Sequence, residues 1–94
     1  MSLLERFGAG LQRARKRRGL TQEDFSTVSS RTYLSSLERG LKAPTITKIE
    51  QLAAVMGVHP LSLVALGYVS GQGDDLDTLF TRIRDEISLL VHDT

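Results

Sequence analysis

Residues 21–40, TQEDFSTVSSRTYLSSLERG, constrain this chain more than any other segment. Thr21, with Asp24 three residues on, forms a short capping signature, and Phe25 and Val28 follow at helical spacing. The pair Ser29–Ser30 breaks that pattern. A second short run carries Leu34 and Leu37 on one side and Arg31, Thr32, Ser35, Ser36 and Arg39 on the others, and Gly40 stops it. The spacing therefore predicts two short helices around a tight polar break, the second with its polar side outward.

Ninety-four residues at 40% hydrophobic content suffice for one compact core but not two. Cysteine is absent, which leaves neither a disulfide framework nor a thiolate metal site. His59 and His92 lie far apart in sequence, so no metal and no cofactor is expected. No apolar run approaches the roughly 18–20 residues of a membrane span, and no signal-peptide pattern opens the chain. A soluble cytoplasmic protein without membrane contact is the expectation. The net charge of +1 conceals an asymmetry. Residues 1–69 carry ten Lys/Arg against five Asp/Glu, whereas residues 70–94 carry two against six. The first part suits a polyanion and the last part does not.

Ser2 with Glu5 reads as a capping box opening a first helix, on which Leu4, Phe7, Leu11 and Ala14 face inward. Gly8 on that helix suits close packing, while Gly10 has no evident reason. Gly19 ends it after the cationic turn Arg15–Arg18. The second helix starts at the Thr21 N-cap and the third near Ser30. Pro44–Thr45 open a fourth, with Ile46, Ile49, Leu52, Ala53 and Met56 inward and Gly57 as its stop. His59–Pro60 place proline at N1 of a fifth helix, which runs to about Leu66. SGQGDD at 70–75 reads as a linker. Beyond it Leu76, Phe80, Ile83, Ile87 and Leu90 repeat at 4-3-4-3, and Leu79 and Val91 widen this seam. Such a helix either folds back onto its own head or packs against its copy in a second subunit; a head already complete in itself favours the second.

The layout of residues 21–40 is that of a DNA-reading helix-turn-helix. The span 4–66 as a whole resembles the Xre/Cro-type helix-turn-helix family, the fold of lambdoid phage repressors. LQRARKRRGLTQED at 11–24, YLSSLERG at 33–40 and APTITKIEQLAAVMGV at 43–58 carry the resemblance. It implies an all-α, five-helix DNA-binding domain over residues 1–69 that acts as a dimer on a two-fold symmetric operator, here followed by a linker and C-terminal amphipathic dimerisation helix over 70–94. One departure stands out. From Thr21 to Gly40 the chain is two residues shorter than the common pattern and has Val28–Ser29–Ser30 where a glycine is usual, which is expected to alter the angle of the third helix.

With the third helix in a major groove, Arg31 is the best base reader, because a guanidinium pairs bidentately with guanine O6 and N7. Thr32, Ser35 and Ser36 are the other candidates, the serines reaching few atoms. Gln22 begins the second helix, where free N–H groups favour phosphate, and the family uses this glutamine to anchor the DNA backbone. Ser30, Arg39, Lys42, Arg13 and Lys16 are further phosphate candidates, contacts that set register and affinity but not sequence. Tyr33 either packs under the turn or bonds a phosphate through its hydroxyl. For each of these the alternative is an ordinary solvated face. The resemblance also implies that Arg15 pairs with Glu38 of the L-E-x-G motif, a structural role. Paired carboxylates in a cleft, a nucleophile with its base and a phosphate-binding glycine loop are all missing, so no enzyme is expected. The seam Leu76, Leu79, Phe80, Ile83, Ile87, Leu90 and Val91 is the expected dimer interface. Two other readings remain: an antitoxin-type module whose acidic C-terminal helix takes a small protein partner, and a controller protein of a restriction–modification system.

Overall fold

The computed structural model describes residues 1–69 and 76–92; the expected linker at 70–75 lies outside the described residues. The chain forms α1 (Leu3–Arg17), a 3-10 turn (Gln22–Phe25), α2 (Arg31–Glu38), α3 (Ile46–Met56), α4 (Pro60–Val69) and α5 (Leu76–Val91). No strand occurs among the described residues. The fold is thus all-α, with one correction. The second helix is a single 3-10 turn, not an α-helix. Its start is as read, for Thr21 and Asp24 complete a reciprocal capping box, with Thr21 N donating to Asp24 Oδ2 at 2.7 Å. Beyond Phe25 the chain has too few residues before Ser30 to add α-helical turns. Instead Val28 N and Ser29 N both donate to the Phe25 carbonyl, at 3.0 and 2.9 Å.

Local signals fix the other boundaries. Ser2 and Glu5 satisfy each other's backbone N–H groups at 2.9 and 3.1 Å. The Glu5 carboxyl, held first by the Ser2 backbone N–H and then by its hydroxyl, lies below its ordinary pKa of 4.5. Thr45 caps α3 by accepting from Lys48 N at 3.0 Å. At α4 the N-cap duty falls to His59, whose Nδ1 accepts from Leu61 N at 3.0 Å. This helix runs to Val69, three residues past the expected end. The three stops Gly19, Gly40 and Gly57 all take φ near +70°, and at each the glycine's own N–H and that of the next residue fold back onto the helix's last carbonyls.

One core joins these elements: Phe7 and Leu11 of α1, Phe25, Leu34 and Leu37, Leu52, Ala53 and Met56 of α3, and Leu63 of α4. α1 lies against α2 and α4, α3 against α4, and the 3-10 turn against α2 and α3. Ile46 departs from expectation. It matches the apolar period of α3 but is 87% exposed, because the first residue of that helix projects beyond the edge of the core. Gly10 acquires a reason, since a Cβ there would lie 2.8 Å from Leu66 Cβ, so glycine lets α1 and α4 close. Gly8 does the same toward α2, where a Cβ would meet the Leu37 carbonyl oxygen at 2.3 Å. Arg6 ties the same pair of helices as Gly10, its Nε donating to the Gly67 carbonyl at 2.8 Å.

α5 buries none of its residues. Leu79 and Ile83 are half-buried, and with Phe80 and Ile87 they face Leu61, Val64, Ala65 and Tyr68 of α4 across an apolar groove of about 450 Å³. Leu76, Leu90 and Val91 remain exposed. No single described helix is long and apolar enough to cross a membrane.

Candidate nucleic-acid interface

α2 is held hard at one end and displayed at the other. Ser30 caps it, its Oγ accepting from Tyr33 N at 3.1 Å, and its hydroxyl hydrogen remains able to donate outward. Arg31 and Thr32 in the first turn are exposed. At the far end Ser36, Leu37 and Glu38 are buried in succession. Three consecutive buried residues cover about 200° of helix circumference, so this end is sunk into the domain rather than laid on it.

The anchor is a buried ion pair. Arg15 Nε donates to Glu38 Oε2 at 2.7 Å and its Nη2 to Oε1 at 3.0 Å, with side chains only 9% and 1% exposed. The hydrogen bonds to Glu38 raise the Arg15 pKa, so its charge is permanent. The third donor of the fork, Nη1, bonds the Leu20 carbonyl at 3.0 Å. One guanidinium thereby joins α1, α2 and the loop entering the 3-10 turn. Paired bidentately and with a bond from each guanidinium nitrogen, this pair meets the conditions under which burying two charges is tolerated.

One site expectation needs correcting. Ser36 is 8% exposed, its side chain covered where α2 sinks into the domain, and no base edge can reach it. Gln22, half-buried, donates from its amide Nε2 to Glu38 Oε1 at 3.2 Å, adding to the shell of that carboxylate; the amide carries a second N–H donor. Ser35 is half-buried and stands at the rim. Tyr33 is half-buried as well, with the ammonium groups of Lys42 and Lys48 each 5.7 Å from its ring centre, a geometry suited to cation–π attraction. Arg39 and Lys42 follow the buried end and are exposed, as are Arg13 and Lys16 on α1. No described group of His, Asp or Glu is arranged to hold a metal.

Lys48 and Arg6 were missed in the sequence. Lys48 donates from its Nζ to the Val28 carbonyl, closing the turn before α2. Its place in α3, one residue before the half-buried Ile49, gave only a weak signal, because a lysine in a helical first turn is ordinarily solvated.

A short helix pinned at its C-terminal end and exposed at its N-terminal end, behind a capped turn, defines a helix-turn-helix DNA-binding domain. The helix-turn-helix family model matches residues 11–63. The chain is also 41% identical over 66 residues to an uncharacterized HTH-type transcriptional regulator, y4dJ, of Sinorhizobium fredii; the match takes in 68% of this chain and 86% of that protein. The chain belongs to the Xre/Cro-type helix-turn-helix family of DNA-binding regulators.

Proposed function

We propose that the protein is a sequence-specific transcriptional regulator that binds a two-fold symmetric operator as a homodimer. The observation that carries this reading is the polarity of α2: Arg31 and Thr32 exposed at its free end, Leu37 and Glu38 locked at the other. Laid into the major groove, the free end brings Arg31 to a guanine edge and the Thr32 methyl or hydroxyl to a neighbouring base, with Ser35 at the margin. Ser30, the Tyr33 hydroxyl, Arg39 and Lys42 supply phosphate contacts around the helix, and Arg13 and Lys16 add general attraction. Gln22 steadies Glu38 through one amide N–H and offers the other to a phosphate.

The second copy joins through α5. Its seam, from Leu76 through Leu79, Phe80, Ile83, Ile87 and Leu90 to Val91, is only partly met by α4, and an apolar face of this length needs a partner. The acidic tail is thereby kept on the assembly side and not the duplex side. The test is selection of bound sites from random DNA at fixed ionic strength, paired with sedimentation of the protein alone. The expected result is an inverted repeat with half-site centres about 34–36 Å apart, bound by two copies. Absence of any enriched sequence refutes the regulatory reading. Enrichment of a lone half-site by a monomer refutes the dimer. A stable complex of α5 with a small foreign protein in place of its copy would instead support the antitoxin-type assembly.

A further inference from the structure

The end of α2 that carries Arg31 and Thr32 depends on a turn with no glycine, closed by side chains. Ser29 is buried and its Oγ donates to the Ser30 carbonyl at 2.9 Å. The Val28 carbonyl is taken by the ammonium of Lys48, which reaches over from the first turn of α3. That turn is itself fixed, since Lys48 N donates to Thr45 Oγ1 at 3.0 Å. The same ammonium lies 5.7 Å from the centre of the Tyr33 ring, on the first turn of α2. One half-buried side chain therefore touches the turn, the helix that follows it and α3.

We propose that Lys48 is a positioning residue for DNA reading: by holding the Val28 carbonyl and the Tyr33 ring it fixes the angle at which α2 presents Arg31 and Thr32, and so governs sequence preference without touching nucleic acid. The geometry explains why the angle is sensitive. α2 has eight residues, about 12 Å of helix, and Arg15 pins its far end to Glu38. A tilt of about 5° about that anchor moves the near end by about 1 Å over that length. A shift of this size carries a hydrogen bond of about 2.9 Å out of range, and a bidentate pair with guanine loses both bonds together. Lys42, at the same distance from that ring but exposed, is placed for phosphate; Lys48 is half-buried with a protein acceptor already bound.

This inference rests on the proposed sequence-specific binding, and the experiment separates the two. The probes are the selected operator and a scrambled duplex, titrated over a range of salt with wild type, Lys48→Met and Lys48→Gln, after thermal unfolding has shown each to be folded. If wild type prefers no sequence, it is the functional proposal that fails. If wild type discriminates, Lys48→Met is expected to reduce the operator-to-scrambled ratio about tenfold, on the scale of one hydrogen bond to a charged group, with a much smaller loss on scrambled DNA and the salt slope unchanged. Lys48→Gln, a shorter uncharged donor, serves should the methionine variant not fold, and is read by the same ratio. In an Arg31→Ala background the Lys48 substitution is expected to add little further loss at the base that Arg31 reads, because the two act in series. Parallel weakening on both duplexes with a salt slope lower by about 0.9 would make Lys48 a phosphate ligand and overturn the assignment. An unchanged ratio would overturn it equally.

Discussion

Replacing Arg15 with methionine should reveal how much of the domain hangs on one buried pair. The substitution keeps most of the side-chain volume but leaves Glu38, 1% exposed, with the Gln22 amide as its remaining side-chain partner. Stranding a buried charge in this way costs about 3–5 kcal/mol. The described head of 69 residues has a total stability of roughly 4–10 kcal/mol at 0.05–0.15 kcal/mol per residue, so a single substitution removes a large share of it. In urea, with an m-value of about 1–1.5 kcal/mol/M, the midpoint should fall by roughly 2–5 M. The double variant Arg15→Met/Glu38→Leu removes both charges and should recover most of the loss, since apolar replacement of a whole buried pair is commonly neutral or better. It should still fall short of wild type by about 1 kcal/mol, because the Leu20 carbonyl loses its donor. Circular dichroism during urea titration measures all three proteins. A single variant within about 1 kcal/mol of wild type, or a double variant no better than the single, would show that the pair does not anchor α2 as described.

Three further outcomes are expected. Arg31→Ala should lose about 1–3 kcal/mol of discrimination at one base pair of each half-site while losing much less on unrelated DNA, measured by competition titration; equal losses everywhere would make Arg31 a phosphate ligand. Gly8→Ala should destabilise the head by about 1–3 kcal/mol, because its Cβ would press on the backbone carbonyl oxygens of Leu37 and Glu38 at 2.3 and 2.7 Å, and thermal unfolding reads the loss. Glu5→Gln should alter the acid limb of stability. The folded-state pKa of Glu5 is depressed, so its contribution is present above the ordinary 4.5 and fades as pH falls through the lower folded value. The gap between wild type and variant is thus expected near neutral pH and should close below pH 4.5.

Signals acting over three or four residues were legible in the sequence. Ser2 with Glu5, Thr21 with Asp24, Pro60 at the start of α4 and the three glycine stops all depend on neighbours along the chain, and each stands where its chemistry places it. Phe7, Leu11, Leu34, Leu37, Leu52 and Met56 follow from helical period alone. The misreadings share a different cause. Ser36 is polar and small, and its burial depends on how deep the end of α2 sinks, which Gly8 and the Arg15 pair decide from another helix. Ile46 keeps the period of α3 but, as the first residue of that helix, sits past the edge of the core. The bond from Gln22 to Glu38, 3.2 Å long, joins residues sixteen apart in the chain, a contact that no local pattern reports. The shortening of the second helix to a 3-10 turn follows from how the chain is closed at Phe25 and Val28, which no propensity reports.

The closed shell around Glu38 also shapes what a nucleic acid meets on approach. Glu38 is the one acidic residue in the stretch from Arg31 to Lys42, and its carboxylate is matched by a guanidinium and turned away from solvent. The exposed charges of this stretch are therefore Arg31, Arg39 and Lys42, with no opposing carboxylate among them. In the proposed docking that stretch would draw the duplex, and α2 stays firmly seated because its lone negative charge works inward.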